Sequence, residues 1–401
     1  MSTRLGRWRS AQWQHYEEGQ HSDPFRSGQD RGRPFVHDLA AAVPAWLTAR
    51  VLVLAALAAS HPLQSRYRPL ESSARRVREG LLAWDGDWFH DIAQQGYAAL
   101  PRPGLRYFPL FPMLGKGLSV VLFSNVGLSL ILLANLFSLL AGAALHRLVL
   151  QERGDERLAR RAVWVLALAP PSFVLVMGYT EPLAILLAVA TFMALRRRRW
   201  GWAAAGGYLS GLARPLGVLL SIPAAVEALW QLRQGPARQR LGALASVVAP
   251  VAGCLTYLAW VGVRFGDPLL PYSSQQTPEF RGGFANPLVT LVKTAAELMT
   301  GRLATKNVPH LPWALVLIAL VVLVCRRWPP SYGAFAVATL MVALSTERLG
   351  SLERYGFACF PVLLGAATMA KSDGVHRVVV VVSGGLMTMY ATLTFMGLYI
   401  P

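Results

Sequence analysis

LGALASVVAPVAGCLTYLAWVGV, residues Leu241 to Val263, runs without a charged side chain. A hydrocarbon core about 30 Å thick takes roughly 20 such residues wound as a helix. Comparable uncharged runs recur at Val163 to Met177, Leu311 to Cys325 and Val378 to Ile400. The chain is 54% hydrophobic and 15% charged, with mean hydropathy +0.39, where a soluble domain carries roughly 25% charged residues. These runs predict an all-α polytopic membrane protein.

A net charge of +18 suits a nucleic-acid partner when the basic residues form one patch. Here the arginines gather in short segments between apolar runs: Arg4 to Arg33, Arg147 to Arg161, Arg196 to Arg199, Arg233 to Arg240, Arg326-Arg327 and Lys371 to Arg377. That is the pattern of cytoplasmic topology signals, so membrane lipids are expected around the chain and no nucleic acid. Cys254, Cys325 and Cys359 form no Cys-x-x-Cys pair, which supports neither a disulfide framework nor a zinc site. Residues 1–36 are polar, without the apolar core of a signal peptide, and read as a disordered cytoplasmic tail. Residues 37–401 read as a single transmembrane domain. Arginine far outnumbers lysine, and Ala, Leu and Gly abound, a composition of GC-rich genomes that suggests a bacterial plasma membrane.

The first span, about Leu39 to Ser60, leads outward from a cytoplasmic N-terminus. Phe108 to Phe123 is short and carries Pro109, Pro112 and Lys116. Counted as a crossing, it would put the Arg147 to Arg161 loop outside. Read as an outer-face or re-entrant helix, it leaves every basic loop inside. The second reading gives about eleven crossings, the others near 127–147, 161–178, 180–196, 201–213, 215–232, 241–262, 311–325, 330–346, 355–371 and 376–398. Outer loops then fall at about 61–126 and 263–310, with the C-terminus outside.

This parity gathers the remaining charges on the outer face. Trp84-Asp85-Gly86-Asp87-Trp88-Phe89-His90-Asp91 leads there, followed by Gly178-Tyr179-Thr180-Glu181, Arg214-Pro215, Gly266-Asp267-Pro268 and Glu347-Arg348 to Glu353-Arg354-Tyr355. Ionisable groups at a membrane boundary are costly unless they bind or react. One outer-face site for a polar substrate such as a sugar accounts for all of them.

The run Trp84-Asp85-x-x-x-Phe89-x-x-Ile92-Ala93-x-x-Gly96-Tyr97, then Phe108-Pro109-Leu110-Phe111-Pro112, resembles the PIG-V family of mannosyltransferases. Pro170-x-Ser172-Phe173 with Gly178-Tyr179-Thr180-Glu181-Pro182, Ala213-Arg214-Pro215-Leu216-Gly217, Phe265-Gly266-Asp267-Pro268, and Arg354-Tyr355 with Phe360-Pro361 continue the likeness in order over roughly residues 40–370. The resemblance implies a GT-C glycosyltransferase that takes a sugar, usually mannose, from a polyprenyl-phosphate donor. Eukaryotic members act in GPI-anchor assembly; a bacterial relative would mannosylate a lipid or cell-envelope glycan outside the plasma membrane. Asp87 has no counterpart in the family pattern, which favours Asp85 for the central role.

Such a transfer needs a base for the acceptor hydroxyl and a cradle for the departing phosphate. Asp85 is the candidate base; its structural alternative is a helix N-cap. Arg214 and Arg354, with Arg348 as a weaker third, suit the phosphate because a guanidinium fork matches its oxygens. Their alternatives are snorkelling for Arg214 and an interfacial ion pair, with Glu347 for instance, for Arg354. Glu181 either hydrogen-bonds a sugar or complements a helix N-terminus. Asp87, His90, Tyr97, Tyr179 and Trp84 complete the expected sugar and acceptor contacts. The aromatics read equally as an interfacial belt.

No metal is expected. Asp87, His90 and Asp91 stand at i, i+3 and i+4 on one helical face, which reads either as a divalent-metal site or as the solvated side of a surface helix. Two other functions compete with mannosyl transfer. A transporter or flippase would show two related halves with broken helices near the midplane, and no repeat is evident. A transferase for arabinose or glucose differs only in a few hydroxyl contacts.

Overall fold

The computed structural model describes residues 33–66, 80–276, 281–301, 307–370 and 372–399. Most of the expected N-terminal tail, residues 1–32, lies outside that range, as do residues 67–79 of the first outer loop, Glu279 and Lys371. Among the described residues the chain is helical. Its one β feature is an isolated bridge between Phe284 and Thr346.

Among the described residues four helices are long and apolar enough to cross a membrane: Phe35–Gln64, within the helix Phe35–Arg66 (α1), then Val126–Arg153, Ala237–Phe265 and Asp373–Phe395. The helix Ala237–Phe265 shows why the chain belongs in lipid. Its buried residues are Ala243, Ser246, Pro250, Gly253, Tyr257 and Val261, mostly small. Leu241, Leu244, Val248, Val251 and Leu255 are exposed, at alternating steps of three and four. That apolar stripe faces outward, the reverse of a helix packed in water. Small residues inside let backbones approach closely. A Cβ on Gly253 would stand 2.0 Å from the Tyr208 carbonyl oxygen, and one on Gly211 2.1 Å from that of Pro250. Glycine is required at both crossings.

Helices occupy each segment expected to cross, but prolines shorten several. The 161–178 segment is helical over Glu156–Leu168 and continues as a 3₁₀ turn, Pro170–Leu175. The 215–232 segment opens with a 3₁₀ turn, Pro215–Leu220, before the helix Ser221–Gln234. The 355–371 segment is two helices, Leu352–Ala358 and Phe360–Met369, divided at Cys359 before Pro361. Proline lacks an amide hydrogen and clashes with the preceding turn, so these boundaries lie at Pro170, Pro215 and Pro361. Leu110–Ser119 is a helix of ten residues, about 15 Å long, half the hydrocarbon thickness.

Arg50 sits within the first span without a carboxylate partner among the described residues. Its Nε donates to Asn135 Oδ1 at 2.8 Å, and its terminal nitrogens reach Ser138 Oγ and the carbonyls of Trp46 and Leu175. The guanidinium also lies 4.2 Å from the Trp46 ring centroid. These bonds tie the first span to Val126–Arg153 and to the turn at Pro170–Leu175. Arg50→Leu removes these four hydrogen bonds and leaves Asn135 Oδ1 without its donor in apolar surroundings, at about 2 kcal/mol. Thermal unfolding of the detergent-solubilised variant is expected several degrees below wild type; an unchanged midpoint would remove this network from the stability of the fold.

Candidate active site

We label helices in chain order: α2 Asp85–Gln95, α3 Leu110–Ser119, α4 Val126–Arg153, α5 Glu156–Leu168, α6 Glu181–Arg196 and α7 Trp200–Ala213. The site forms where α2, the turns before α6 and after α7, and Leu352–Ala358 meet.

Asp85 is the first residue of α2, and the residue before it makes no side-chain cap. Its own carboxylate does not cap the helix, which corrects the structural alternative. Oδ1 accepts from the Tyr107 hydroxyl at 2.8 Å and Oδ2 accepts from Arg354 Nη1 at 2.5 Å. Arg106 Nη2 donates to the Tyr107 hydroxyl at 2.6 Å, completing a chain from guanidinium to phenol to carboxylate. Trp84, just before Asp85, has φ 64 and ψ −114, a left-handed conformation that favours glycine and costs a tryptophan about 1–3 kcal/mol. Its indole N–H donates to the Thr394 carbonyl at 3.2 Å and holds that kink.

A second loop meets the first through backbone. The Gly178 amide donates to the Leu81 carbonyl at 2.9 Å, and the Asp85 amide donates to the Tyr179 hydroxyl at 3.2 Å. Glu181 follows at the start of α6. Its Oε1 stands 3.6 Å from Arg354 Nε and 3.5 Å from Arg214 Nη1. Glu181 Oε2 and Arg354 Nε are buried without a hydrogen-bond partner, so this pairing is electrostatic and leaves bonding capacity unused.

Arg354 therefore pairs with Asp85 and Glu181, not with Glu347. Arg214 is held at Glu181 instead of snorkelling. Arg214, Arg281 and Arg354 surround one ring, at 5.5, 4.6 and 5.4 Å from the Tyr355 centroid, an arrangement favoured by the negative ring face. Among the described residues, Asp85 and Glu181 thus meet three guanidiniums gathered around Tyr355, those of Arg214, Arg281 and Arg354, while Arg106 reaches Asp85 through Tyr107.

The other expected residues fall around this cluster. Tyr97 donates to the Tyr107 carbonyl at 2.7 Å and packs on Tyr257 and Trp260, bracing Tyr107 from behind. Trp88 stacks on Tyr107 at 5.7 Å. Arg348 joins through its backbone amide, which donates to the Arg281 carbonyl at 3.1 Å. Asp87 lies in the first turn of α2, and His90 Nδ1 is 3.5 Å from Asp91 Oδ1. Among the described residues no three His, Cys, Asp or Glu are grouped to hold a metal ion. Tyr107, Arg106, Tyr355 and Arg281 are the participants that sequence reading undervalued. The adjacency of Arg106-Tyr107 to Phe108-Pro109 was the available signal for the first pair.

Comparison with known proteins bears on one half of this site. Residues 48–222 match the mannosyltransferase (PIG-V) family. The PIG-V resemblance holds over that stretch, which carries Asp85, Tyr107, Tyr179, Glu181 and Arg214; Arg281, Arg354 and Tyr355 lie beyond it. GPI alpha-1,6-mannosyltransferase 2 of Rattus norvegicus is 36% identical over 143 residues, 33% of this chain and 28% of the relative. The Mus musculus protein is 35% identical over 154 residues, 35% of this chain and 30% of the relative. The chain thus spans less than a third of the length of these curated relatives in the matched region. Two oligosaccharyltransferase structures from Archaeoglobus fulgidus are more distant. One, a complex with Zn and sulfate, has 18% identity and a TM-score of 0.38, covering 73% of this chain and 45% of that one. The other, with an inhibitory peptide and a dolichol-phosphate, has 14% identity and a TM-score of 0.42, covering 90% and 56%.

Burial pushes the Asp85 carboxyl up; the charge of Arg354, then that of Arg106 and the bonds from Arg354 and Tyr107, outweigh it and hold the group below the usual carboxylate value. A depressed value means stability present above the unfolded value and lost as pH falls through the folded one. In Arg354→Ala the upward push of burial remains and its main opponent is gone. The Asp85 carboxyl should then titrate higher than in wild type, followed by carbon NMR of labelled aspartate; an unmoved resonance would mean the pair does not set its ionisation.

Proposed function

We propose that this membrane protein is an inverting glycosyltransferase of the GT-C type, moving mannose from a polyprenyl-phosphate donor to a lipid or glycan acceptor outside the membrane. The observation that carries this reading is the Asp85–Arg354–Glu181–Arg214 cluster, built partly on the PIG-V-matched segment, with a buried guanidinium nitrogen of Arg354 left without a hydrogen-bond partner. We read the helices as about eleven crossings, with Leu110–Ser119 as an outer-face helix too short to span. The choice of mannose rests on the family match; arabinose or glucose would need different hydroxyl contacts.

In this scheme the acceptor hydroxyl attacks the anomeric carbon from the face opposite the phosphate, and configuration inverts. Its proton passes to Asp85, while the bond from the anomeric carbon to the phosphate oxygen breaks and the electron pair leaves with the phosphate. Arg354 and Arg214 receive that charge, with Arg281 beside them. Tyr107 fixes the rotamer of Asp85 by holding Oδ1. Glu181 keeps the two arginines together in the absence of donor. An arriving phosphate shares Arg354 with Asp85, which weakens the force depressing the carboxyl. Asp85 becomes a stronger base once the donor is bound. The acidic limb of kcat should accordingly lie at higher pH than that of kcat/KM, which reports the free enzyme.

Transfer from radiolabelled polyprenyl-phosphate mannose to a membrane-lipid extract tests the assignment. Asp85→Asn is expected to lower kcat by roughly 10²–10⁴-fold with folding intact, whereas Arg214→Ala and Arg354→Ala weaken donor use. Undiminished turnover in Asp85→Asn would remove it as the base, and wild-type donor affinity in both arginine variants would remove the phosphate cradle.

With arginines meeting the phosphate charge, transfer is expected to proceed in EDTA. Loss of activity restored by Mn²⁺ would instead place a metal at Asp87, His90 and Asp91.

A further inference from the structure

Two helices lead from the Asp85 cluster to an arginine-lined cavity at their far ends. α4 starts beside α2, where a Cβ on Gly127 would touch Leu82 and lie 3.7 Å from His90. It ends at Arg153, the last of its 28 residues, about 40 Å away at 1.5 Å per residue. The helix Leu311–Arg327 starts after His310, whose Nδ1 is 2.9 Å from Glu353 Oε2 next to Arg354, and ends in Arg326-Arg327. Between these far ends lies a cavity of about 700 Å³ lined by Arg153, Arg161, Arg326, Arg327, Asp155 and Leu158, among others.

Two of the four arginines are held in place. The Arg153 guanidinium lies 4.8 Å from the Trp328 ring centroid. Arg161 donates to the Ala370 carbonyl and, at 2.7 Å, to Asp373 Oδ1. Among the described residues the lining holds one carboxylate, Asp155, whose Oδ1 accepts from the amides of Arg157 and Leu158 as the cap of α5. A topology signal needs positive charge in a loop and nothing more. Four guanidiniums around one concavity, two of them pinned, make a preformed anion site of ordinary ligand-pocket size.

We infer that this cavity binds the phosphate headgroup of an anionic phospholipid in the leaflet opposite the Asp85 cluster. The cavity lies at the far ends of two long apolar helices, where headgroups lie. Leu158 in the wall suits the start of an acyl chain, and the inner leaflet supplies negative lipid for which basic residues near the surface provide attraction. A soluble phosphate would gain nothing from that wall.

Native mass spectrometry of the full chain, released from nanodiscs of phosphatidylcholine mixed with phosphatidylglycerol, tests this without reference to sugar transfer. Wild type should retain phosphatidylglycerol. Arg326→Ala/Arg327→Ala should retain it tenfold or more weakly, while the charge-matched pair Arg238→Ala/Arg240→Ala, outside the cavity lining, should behave as wild type. Equal loss in both pairs would mean bulk charge alone and overturn the site. Displacement of the lipid by inorganic phosphate at equal concentration would assign the cavity to a soluble anion, and absence of any retained phosphatidylglycerol would empty it. If the double variant is not recovered folded, Arg153→Gln carries the same comparison.

Discussion

Asp85 and Arg354 lie 269 residues apart in the chain and are joined by a charged hydrogen bond at the place where the helices converge. A carboxylate with a quarter of its side chain exposed and a guanidinium with 7% exposed cannot both remain ionised there unless each finds the other. Removing one partner of such a pair strands the remaining charge, at about 3–5 kcal/mol when burial is complete. This requirement sets where the neighbours go. Tyr107 and Arg106 approach one side of Asp85, and Glu181 offsets the far side of Arg354 and draws Arg214 in. The early loops and the late helix Leu352–Ala358 are held by the same two charges.

Much of this was visible in the sequence because membranes separate residues by cost. A charged group beside an apolar run stands out, so Asp85, Glu181, Arg214 and Arg354 could be singled out and assigned to one face by the parity of the basic loops. Hydropathy places a residue on a face but does not say which partner it meets there. The structural alternative for Arg354, an ion pair with a residue such as Glu347, missed Asp85 for that reason. Tyr107 was hidden differently: an aromatic at a membrane boundary reads as belt whether or not its hydroxyl holds a carboxylate. Arg281 belongs to the 263–310 region, where apolar and polar residues follow no clear period.

The helices show the same division. Apolar length located them, whereas their ends depended on Pro170, Pro215 and Pro361, each of which converts part of a uniform apolar run into a tighter turn. Arg50 illustrates the converse. A lone arginine in a first span looks like an interruption in hydropathy, yet Asn135, Ser138 and the Leu175 carbonyl satisfy it fully enough to make it a fastener between segments. Which of these a charged residue becomes depends on neighbours far away in the chain.

The kink at Trp84 connects the last helix to the first loop. A tryptophan held at φ 64 stores conformational energy directly before the candidate base, and its indole is tethered to the carbonyl of Thr394, 310 residues further along. The aim of Asp85 is therefore partly a property of the helix Asp373–Phe395. Sequence drift, a fusion or a bound lipid that shifts residues near Thr394 would detune the carboxylate from a distance, like moving the peg that sets the pitch of a string.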